Sequence, residues 1–290
     1  MKKLQGKAAL ITGGAGGIGL GMAIAFAKAG MSLALADVDS GRLAPAVDAI
    51  RALGVDAMPV TLDVTDYAAW QQAVDAVENQ LGPVALLCNN AGLGGSAKLA
   101  EDEPRRWKMI IEVNLIGAFY GCRTLLPRML ARGQPAHIVN TASFSGLRSN
   151  PGMSAYDASK HGLVGMSDSL RGELRGTCVG LSVLYPGTVR TDFTGNSAAL
   201  VAASTGLGQS ALDREMGDLL KGGMDPCAVG DLVLEGVCDN RYHIYTHPNW
   251  KPIIEAHFRE RLDAFGIEVD PAVAARILDA LNQRINAGLD

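Results

Sequence analysis

Short apolar runs alternate along the chain with longer segments in which apolar residues recur at helical spacing. The short runs are continuous rather than alternating, which is typical of strands buried on both faces of a parallel sheet. Strands are predicted near residues 8–12, 31–37, 55–61, 84–88, 136–142, 179–185 and 242–246. Helices are predicted near 17–29, 41–53, 66–80, 105–131, 155–175 and 226–238. This order predicts an α/β fold with a doubly wound, seven-stranded parallel sheet in three α/β/α layers.

No internal repeat, low-complexity tract or linker interrupts this pattern, so the 290 residues predict a single domain with a large core. We assign residues 1–250 to the main domain. Within it, a stretch rich in Ala, Ser, Gly and Leu, about 193–223, predicts a lid over a substrate. Residues 251–290 exceed what the sheet needs. They predict a helical extension, with a helix near 271–286, that packs on the same domain or covers a subunit interface.

A glycine cluster follows the first predicted strand and precedes the first predicted helix. It fits two nucleotide-binding patterns: G-x-G-x-x-G through Gly14, Gly16 and Gly19, and T-G-x-x-x-G-x-G through Thr12, Gly13, Gly17 and Gly19. In both, positions without side chains let the backbone approach a pyrophosphate, which the N–H groups and positive dipole end of the next helix favour. The alternative is a tight turn that binds nothing.

Asp37 closes the second predicted strand, where a carboxylate after a glycine cluster accepts hydrogen bonds from ribose hydroxyls. It favours NAD, because it would face the extra phosphate of NADP with like charge, at a cost on the order of a few kcal/mol in a half-exposed site. Neither Gly16 nor Val38 offers a compensating positive charge. Arg42 could reach a phosphate, but we interpret it as a solvated arginine on a helix face.

Tyr156 and Lys160 are four residues apart at the start of a predicted helix, so they share one face. The unperturbed pKa of a phenol is about 10, and a nearby ammonium would lower it toward the working range of a general base. Ser143 ends the fifth apolar run, where its hydroxyl could polarise a substrate oxygen. Ser145 is the weaker candidate for that role.

The order of these motifs resembles the short-chain dehydrogenase/reductase family, from about Gly6 to about Trp250. The matching segments are Thr12 to Gly19, Asp63-Val64, Asn89-Asn90-Ala91-Gly92, Asn114, Ser143, Tyr156 with Lys160, and Pro186-Gly187. The resemblance implies a Rossmann-like fold and a catalytic tetrad of Asn114, Ser143, Tyr156 and Lys160. Cofactor contacts are expected from Gly13, Gly17, Ile18, Gly19, Asp37, Val38, Asp63, Val64, Asn90, Ala91, Gly92, Tyr156, Lys160, Pro186, Gly187, Val189 and Thr191.

The implied reaction is hydride transfer between NAD and a secondary alcohol, which yields a ketone. In the family pattern Tyr156 takes the alcohol proton and Ser143 holds the substrate oxygen. Lys160 lowers the pKa of the tyrosine and binds the nicotinamide ribose, and Asn114 holds a water that links the lysine to solvent. These roles are what the resemblance implies for this chain.

The substrate is less defined than the reaction. Phe144, Leu147, Met153 and Phe193 form either a pocket wall for a bulky or aromatic alcohol, or ordinary packing contacts. The segment from Tyr245 to Trp250, with the extension after it, is similar to that of family members that oxidise benzylic alcohols in lignin-derived aryl ethers.

Structural alternatives exist for three motifs. Asn89 to Gly92 favours tight bends, Asp63 could cap the next helix, and Pro186 to Thr191 could be an ordinary strand exit. Two functional alternatives are an NADP-dependent ketone reductase and a non-catalytic NAD-binding protein. An epimerase or dehydratase would share the Tyr-Lys pair but needs a larger C-terminal substrate domain.

Composition narrows the possible partners. A net charge of −4 without a basic cluster argues against nucleic acid and anionic membranes, and we expect no apolar run of membrane-spanning length. The five cysteines are scattered, which predicts a cytoplasmic protein, and the five histidines show no metal-ligand spacing, so no metal is expected. Family members commonly pair through the helices near 105–131 and 155–175, which implies a homodimer or homotetramer.

Overall fold

The computed structural model describes residues 1–265 and 270–287. Seven parallel strands form one sheet in the order β3-β2-β1-β4-β5-β6-β7. Their bounds are β1 Ala8–Thr12, β2 Ser32–Asp37, β3 Ala57–Thr61, β4 Val84–Asn89, β5 Ala136–Thr141, β6 Val179–Tyr185 and β7 His243–Tyr245. The predicted seven-stranded doubly wound fold is confirmed.

Eleven α-helices are present among the described residues. They are α1 Gly17–Lys28, α2 Ser40–Arg51, α3 Tyr67–Leu81, α4 Pro104–Ile111, α5 Gly117–Arg132, α6 Ser154–Glu173, α7 Phe193–Thr205, α8 Ala211–Lys221, α9 Pro226–Cys238, α10 Lys251–Asp263 and α11 Pro271–Ala287. The helix predicted near 271–286 therefore exists. Helices α7, α8 and α10 were not predicted.

The helices cover both faces of the sheet, because each strand presents apolar side chains to either side. Trp70 of α3, Leu125 of α5 and Leu170 of α6 pack in the core on one face. Phe26 of α1 and Val233 of α9 pack in the core on the other face. The three layers enclose a continuous sheet, in agreement with a single domain.

The prediction of a single helix near 105–131 is wrong in detail. A π-helical turn, Glu112–Ile116, separates α4 from α5. The apolar spacing continues through this turn, so the sequence pattern gives no sign of it. The wider turn contains Asn114, and π-turns inside helices are frequent at functional sites.

The expectation that no apolar run reaches membrane-spanning length is also wrong, judged by length and composition alone. The run Pro104–Arg132, with 29 residues, is long and apolar enough to cross a membrane. Ile110, Leu125 and Met129 of this run are buried within the protein core. Core helices of soluble proteins pass the same test, so the run is weak evidence for a membrane.

The strand order places the functional edge of the sheet. β1 lies between β2 and β4, so the chain turns outward to one side after β1 and to the other side after β3. Ligands of doubly wound sheets bind at such a switch point, beyond the carboxyl ends of the strands. The glycine cluster, Asp37, Asn90 and Ser143 follow or end four of these strands.

Candidate active site

A cavity of about 1090 Å³ opens along the carboxyl edge of the sheet. The loops after the strands β1 to β6 line it, together with residues of α7, α8 and α10. The predicted lid region thus lies over the strand ends, as two helices rather than a loop. The cavity has a glycine-rich end and an end that contains the hydroxyls of Ser143 and Tyr156.

The glycine-rich end is shaped for a phosphate group. Gly13 and Gly17 have φ values of +61° and +51°, which only glycine adopts readily. A Cβ at Gly17 would lie 3.1 Å from the Thr191 methyl, so Thr191 lies directly over the loop. No side chain caps the first turn of α1 and no acidic residue lies in it. Its N–H groups and positive dipole end therefore suit an anion.

Thr12 ties the glycine loop to the loop after β4. Its Oγ1 accepts hydrogen bonds from the backbone N–H groups of Asn90 and Ala91, at 2.9 and 3.0 Å. The Asn90 amide donates in return to the Thr12 carbonyl, at 3.0 Å. These bonds fix the position of the two loops against each other, so Asn90 has a structural role whatever else it contacts.

Asp37 lies at the far rim of the glycine loop. Its carboxylate accepts from Asp39 N at 3.1 Å and, at a longer 3.4 Å, from Ala15 N. Arg42 is partly buried and lines the cavity, and a Cβ at Gly16 would collide with its guanidinium. The interpretation of Arg42 as a solvated arginine is therefore incomplete, because Arg42 is only partly exposed and its guanidinium lies over the bare Gly16.

Ser143 and Tyr156 present their hydroxyls together at the other end. Ser143 ends in extended backbone before a 3₁₀ turn, Phe144–Gly146, and its Oγ accepts from Ser145 N at 3.1 Å. Burial raises the pKa of Tyr156 to about 12, against the lowering effect of a hydrogen bond with Ser143. The Asn150 amide donates instead to Ser145 Oγ, at 3.5 Å. Ser143 is therefore the serine that pairs with the Tyr156 phenol.

Lys160 is a buried cation beneath the two hydroxyls. Its Nζ donates to the Thr141 carbonyl at 2.8 Å and lies 5.6 Å from the centre of the Tyr156 ring. Burial lowers the pKa of Lys160 to about 8. The pKa of Tyr156 stays raised, because burial outweighs the lowering effect of the hydrogen bond with Ser143. The expected net lowering of the Tyr156 pKa is therefore not observed.

Asn114 lies behind the cavity wall and is buried. Its Oδ1 accepts from Leu93 N at 2.7 Å, and its Nδ2 donates to Leu93 O at 2.9 Å and to Ser159 Oγ at 3.0 Å. A Cβ at Gly92 would lie 3.3 Å from Asn114 Oδ1 and 3.6 Å from Lys160 Nζ. The missing side chain leaves these two polar atoms facing the same small volume.

Aromatic rings flank the hydroxyl pair. Phe193 packs edge-on to the Tyr156 ring, with 6.0 Å between ring centres. Phe144 packs edge-on to Trp250, with 4.7 Å between ring centres. Met153, Phe144 and Phe193 line the cavity as the pocket-wall interpretation requires, but Leu147 packs against the protein core instead.

Within residues 1–265 and 270–287, no group of three or more His, Cys, Asp or Glu side chains is placed to hold a metal ion. The chemistry that this geometry offers is that of paired hydroxyls beside a buried ammonium. Such a set can hold and polarise one oxygen atom and exchange a proton with it.

The family model described as short chain dehydrogenase matches residues 7–202. The chain belongs to the short-chain dehydrogenase family. As a member of that family, the protein is an oxidoreductase with a Rossmann-like fold.

Two curated relatives and one solved structure show how similar this chain is to known proteins in sequence and fold. A 1-deoxy-11-beta-hydroxypentalenate dehydrogenase of Streptomyces exfoliatus is 36% identical over 246 residues, 84% of each chain. A C alpha-dehydrogenase of Sphingobium sp. SYK-6 is 31% identical over 287 residues, 97% of this chain and 94% of that one. A short-chain dehydrogenase/reductase of Burkholderia phymatum in complex with NAD is 36% identical, with a TM-score of 0.87, and the alignment covers 93% of this chain and 99% of that one.

Most positions expected from the sequence line this cavity of the short-chain dehydrogenase. They are Gly13, Gly17, Ile18, Asp37, Val38, Asp63, Val64, Asn90, Ala91, Gly92, Ser143, Tyr156, Lys160, Pro186, Gly187, Val189 and Thr191. Asn114 and Gly19 do not line it. A Cβ at Gly19 would collide with the Gly13 carbonyl, so the bare Gly19 lets α1 pack against the loop.

The alternative that Asp63 caps the next helix is wrong, because another aspartate occupies the capping position. Asp66 caps α3, accepting from the N–H groups of Ala68 and Ala69 at 2.8 and 3.1 Å. Asp63 accepts from Thr65 N at 2.9 Å and from Thr65 Oγ1 at 2.7 Å, which closes a short side-chain turn. That turn holds the loop after β3 at the edge of the cavity.

Sequence reasoning left three residues without the roles that the structure gives them. It named Thr12 only as part of the glycine motif, Arg42 only as a group that could reach a phosphate, and Trp250 only as the end of a segment. Thr12 stands in the glycine motif, and its hydroxyl could have been recognised as a hydrogen-bonding group between loops. Trp250 follows the last strand as an aromatic residue outside any predicted helix. Nothing local reveals Arg42, because its position depends on the bare Gly16 of another element.

Proposed function

We propose that this short-chain dehydrogenase catalyses reversible, NAD-dependent oxidation of secondary alcohols to ketones. The observation that carries the proposal is the hydroxyl pair of Ser143 and Tyr156, above the buried Lys160, in the same cavity as the anion-suited glycine loop. One end of the cavity fits a dinucleotide phosphate and the other end fits a single substrate oxygen. The Burkholderia phymatum structure, which is in complex with NAD, supports the choice of cofactor.

The residues along the cavity fit NAD. The first turn of α1 would hold the pyrophosphate, Asp37 the adenosine ribose, and Lys160 the nicotinamide ribose. A bound NAD would supply the hydride acceptor for the carbinol carbon. Every further step is carried out by side chains of this chain.

Tyr156 acts as general base in the oxidation direction. Its phenolate oxygen takes the alcohol proton as the carbon loses hydride, so that the C–O single bond becomes a carbonyl. Because burial raises the pKa of Tyr156 to about 12, the phenolate requires positive charge nearby. Lys160 provides one such charge, since an ammonium with a pKa of about 8 is protonated at neutral pH.

Ser143 and Asn114 have separate tasks in this account. The Ser143 hydroxyl donates to the substrate oxygen and stabilises its changing charge. Asn114 fixes the Leu93 backbone and, with Lys160, faces the volume beside Gly92 through which a proton can leave. In the reduction direction the same groups act in reverse, with Tyr156 as the acid.

NADH formation across a panel of secondary alcohols tests the proposal. The purified protein, supplied with NAD, should produce NADH and a ketone from at least one chemical class, and should do so more slowly with NADP. An NADP-dependent ketone reductase would show the opposite cofactor preference. A non-catalytic NAD-binding protein would bind NADH without turnover in either direction.

Asp37 should decide the cofactor preference. We expect Asp37→Ser to raise the affinity for NADPH by about tenfold or more, equivalent to ~1.4 kcal/mol, and to weaken NADH binding. The reason is that the substitution removes the carboxylate that faces the extra phosphate and leaves Arg42 as the charged group at this rim. Fluorescence titration with both reduced cofactors measures the change.

Asp39→Ser is the matched control, since Asp39 caps α2 two residues away and does not line the cavity. It should leave the ratio of the two affinities unchanged. Adding Arg42→Ala to Asp37→Ser should remove the gain in NADPH affinity. Tighter NADPH than NADH binding by the unmodified protein would contradict the assignment.

The cytoplasmic location, the homodimer or homotetramer, and the lack of nucleic-acid or membrane partners stay predictions. The same holds for the role of the extension 251–290 at a subunit interface.

A further inference from the structure

The residues after β7 form one wall of the active-site cavity, although they lie beyond the segment that matches the family model. We call residues 246–254 the C-terminal wall. Thr246 is buried, and its Oγ1 accepts from Gly187 N at 2.9 Å. This bond joins the wall to the loop after β6, so the wall is held against the site at its first residue.

Ring contacts hold the rest of the C-terminal wall. The His247 ring lies against Gly187, where a Cβ would be only 2.6 Å from its Nδ1. The ring of Trp250 packs on His247 at 4.9 Å and edge-on to Phe144 at 4.7 Å. Trp250 is therefore fixed on both sides, with part of its surface on the cavity.

The position of Phe144 brings this aromatic pair to the reacting groups. Phe144 follows Ser143 directly, and both line the cavity. On the other side, Phe193 packs edge-on to the Tyr156 ring, and a Cβ at Gly94 would lie 2.8 Å from Phe193. One aromatic pair thus includes the residue next to Ser143, and the other ring packs on Tyr156 itself.

A cavity wall that carries these rings suits a flat apolar group more than a flexible chain. Aromatic pairs prefer edge-to-face or offset arrangements, and both Trp250 and Phe193 are already held edge-on to neighbouring rings. Met153 and Ile254 add apolar surface nearby. A third ring inserted here would gain contacts that a saturated alkyl group of equal size would not.

We propose that the substrate carries an aromatic ring on its carbinol carbon, and that Trp250 is a specificity-determining residue that contacts this ring. The inference rests on the proposed function, since it places the carbinol oxygen on Ser143 and Tyr156. The C-terminal wall then selects the substituent on the reacting carbon, while the hydroxyl pair selects the oxygen.

The test compares 1-phenylethanol with 2-butanol in NAD-dependent oxidation by the full chain. Trp250→Ala should lower kcat/KM for 1-phenylethanol by about tenfold or more, while kcat/KM for 2-butanol changes less than about threefold. Trp250→Phe, which keeps a ring, should retain most of the preference. Phe258→Ala is the matched control, since Phe258 is exposed on α10 and does not line the cavity.

A binding measurement separates the failure of this inference from the failure of the proposed function. Calorimetric titration of acetophenone and of 2-butanone, with NAD present, reports the ring contact whether or not turnover occurs. Trp250-dependent binding of acetophenone without NADH formation would support the aromatic site and contradict the proposed reaction. The inference would be overturned if Trp250→Ala lowered kcat/KM equally for both alcohols. It would also be overturned if Trp250→Ala left the binding of acetophenone unchanged.

Discussion

Tyr156→Phe should lower kcat for NAD-dependent alcohol oxidation by about 10³-fold or more, while the dissociation constant of NADH stays nearly unchanged. The substitution removes one oxygen atom and leaves the ring that packs on Phe193. Proton transfer to a positioned base contributes about 10²–10⁴-fold, and the hydrogen bond with Ser143 that orients the substrate oxygen is lost as well.

Tyr245→Phe is the matched control for this experiment. Tyr245 lies in β7 and stacks on Tyr185 at 4.9 Å, but it does not line the cavity. Its hydroxyl should be dispensable for turnover. Retention of most activity by Tyr156→Phe would contradict the assignment of the general base, and loss of NADH binding in the same variant would mean that the substitution acts through the cofactor site.

Acid should destabilise the protein through a single buried histidine. His137 in β5 is fully buried, its Nε2 lies 2.8 Å from Ser182 Oγ, and that hydroxyl donates to Arg241 O at 2.5 Å. The serine proton is thus used, so Nε2 carries the ring proton. Burial lowers the pKa of His137 from 6.5 to about 3, with a smaller effect from the N-terminal ammonium.

The sign of the effect follows from proton uptake. Below pH 6.5 the unfolded chain protonates His137 while the folded protein does not, so stability falls as pH drops toward about 3. Between pH 6.5 and 4 this loss amounts to roughly 3 kcal/mol of unfolding free energy. Urea unfolding of the protein and of His137→Gln measures it. On the same acidification, the unfolding free energy of His137→Gln should fall by about 3 kcal/mol less than that of the unmodified protein. Equal falls in the two proteins would contradict the role given to His137.

The fold could be predicted because each strand is a short, continuous apolar run with a helical segment after it. Once seven such runs are placed in a doubly wound sheet, the carboxyl ends of the strands bring Gly13, Asp37, Asn90 and Ser143 to one edge. This part of the site depends on topology alone, so the sequence was sufficient to bring these residues together.

Long-range packing explains what the sequence could not predict. The π-turn at Asn114 keeps the apolar spacing of a regular helix, and the bond that Asn114 makes there goes to Leu93 of another loop. The first lid helix, α7, is rich in Ala and Ser around its whole circumference, so no amphipathic stripe marks it.

The effect of the Lys160 charge on the pKa of Tyr156 was also misjudged from the four-residue spacing of the two side chains. Tyr156 and Lys160 lie on one helix face as predicted, but Lys160 Nζ extends to the Thr141 carbonyl of β5. Spacing on a helix fixes which face two residues share, and tertiary contacts decide where their terminal atoms lie. The same limit applies to Arg42, whose guanidinium reaches the glycine loop from α2.

The most direct test of the account is to follow the hydrogen atom on the carbinol carbon. The protein is incubated with NAD and secondary alcohols deuterated at that carbon, with 1-phenylethanol and 2-butanol as the first pair, and the NADH formed is analysed by mass spectrometry. The account predicts NADH that carries one deuterium on its nicotinamide ring, together with the ketone, and neither product from Tyr156→Phe at a comparable rate. NADH without deuterium, or ketone formed at an undiminished rate by Tyr156→Phe, would contradict hydride transfer governed by Tyr156.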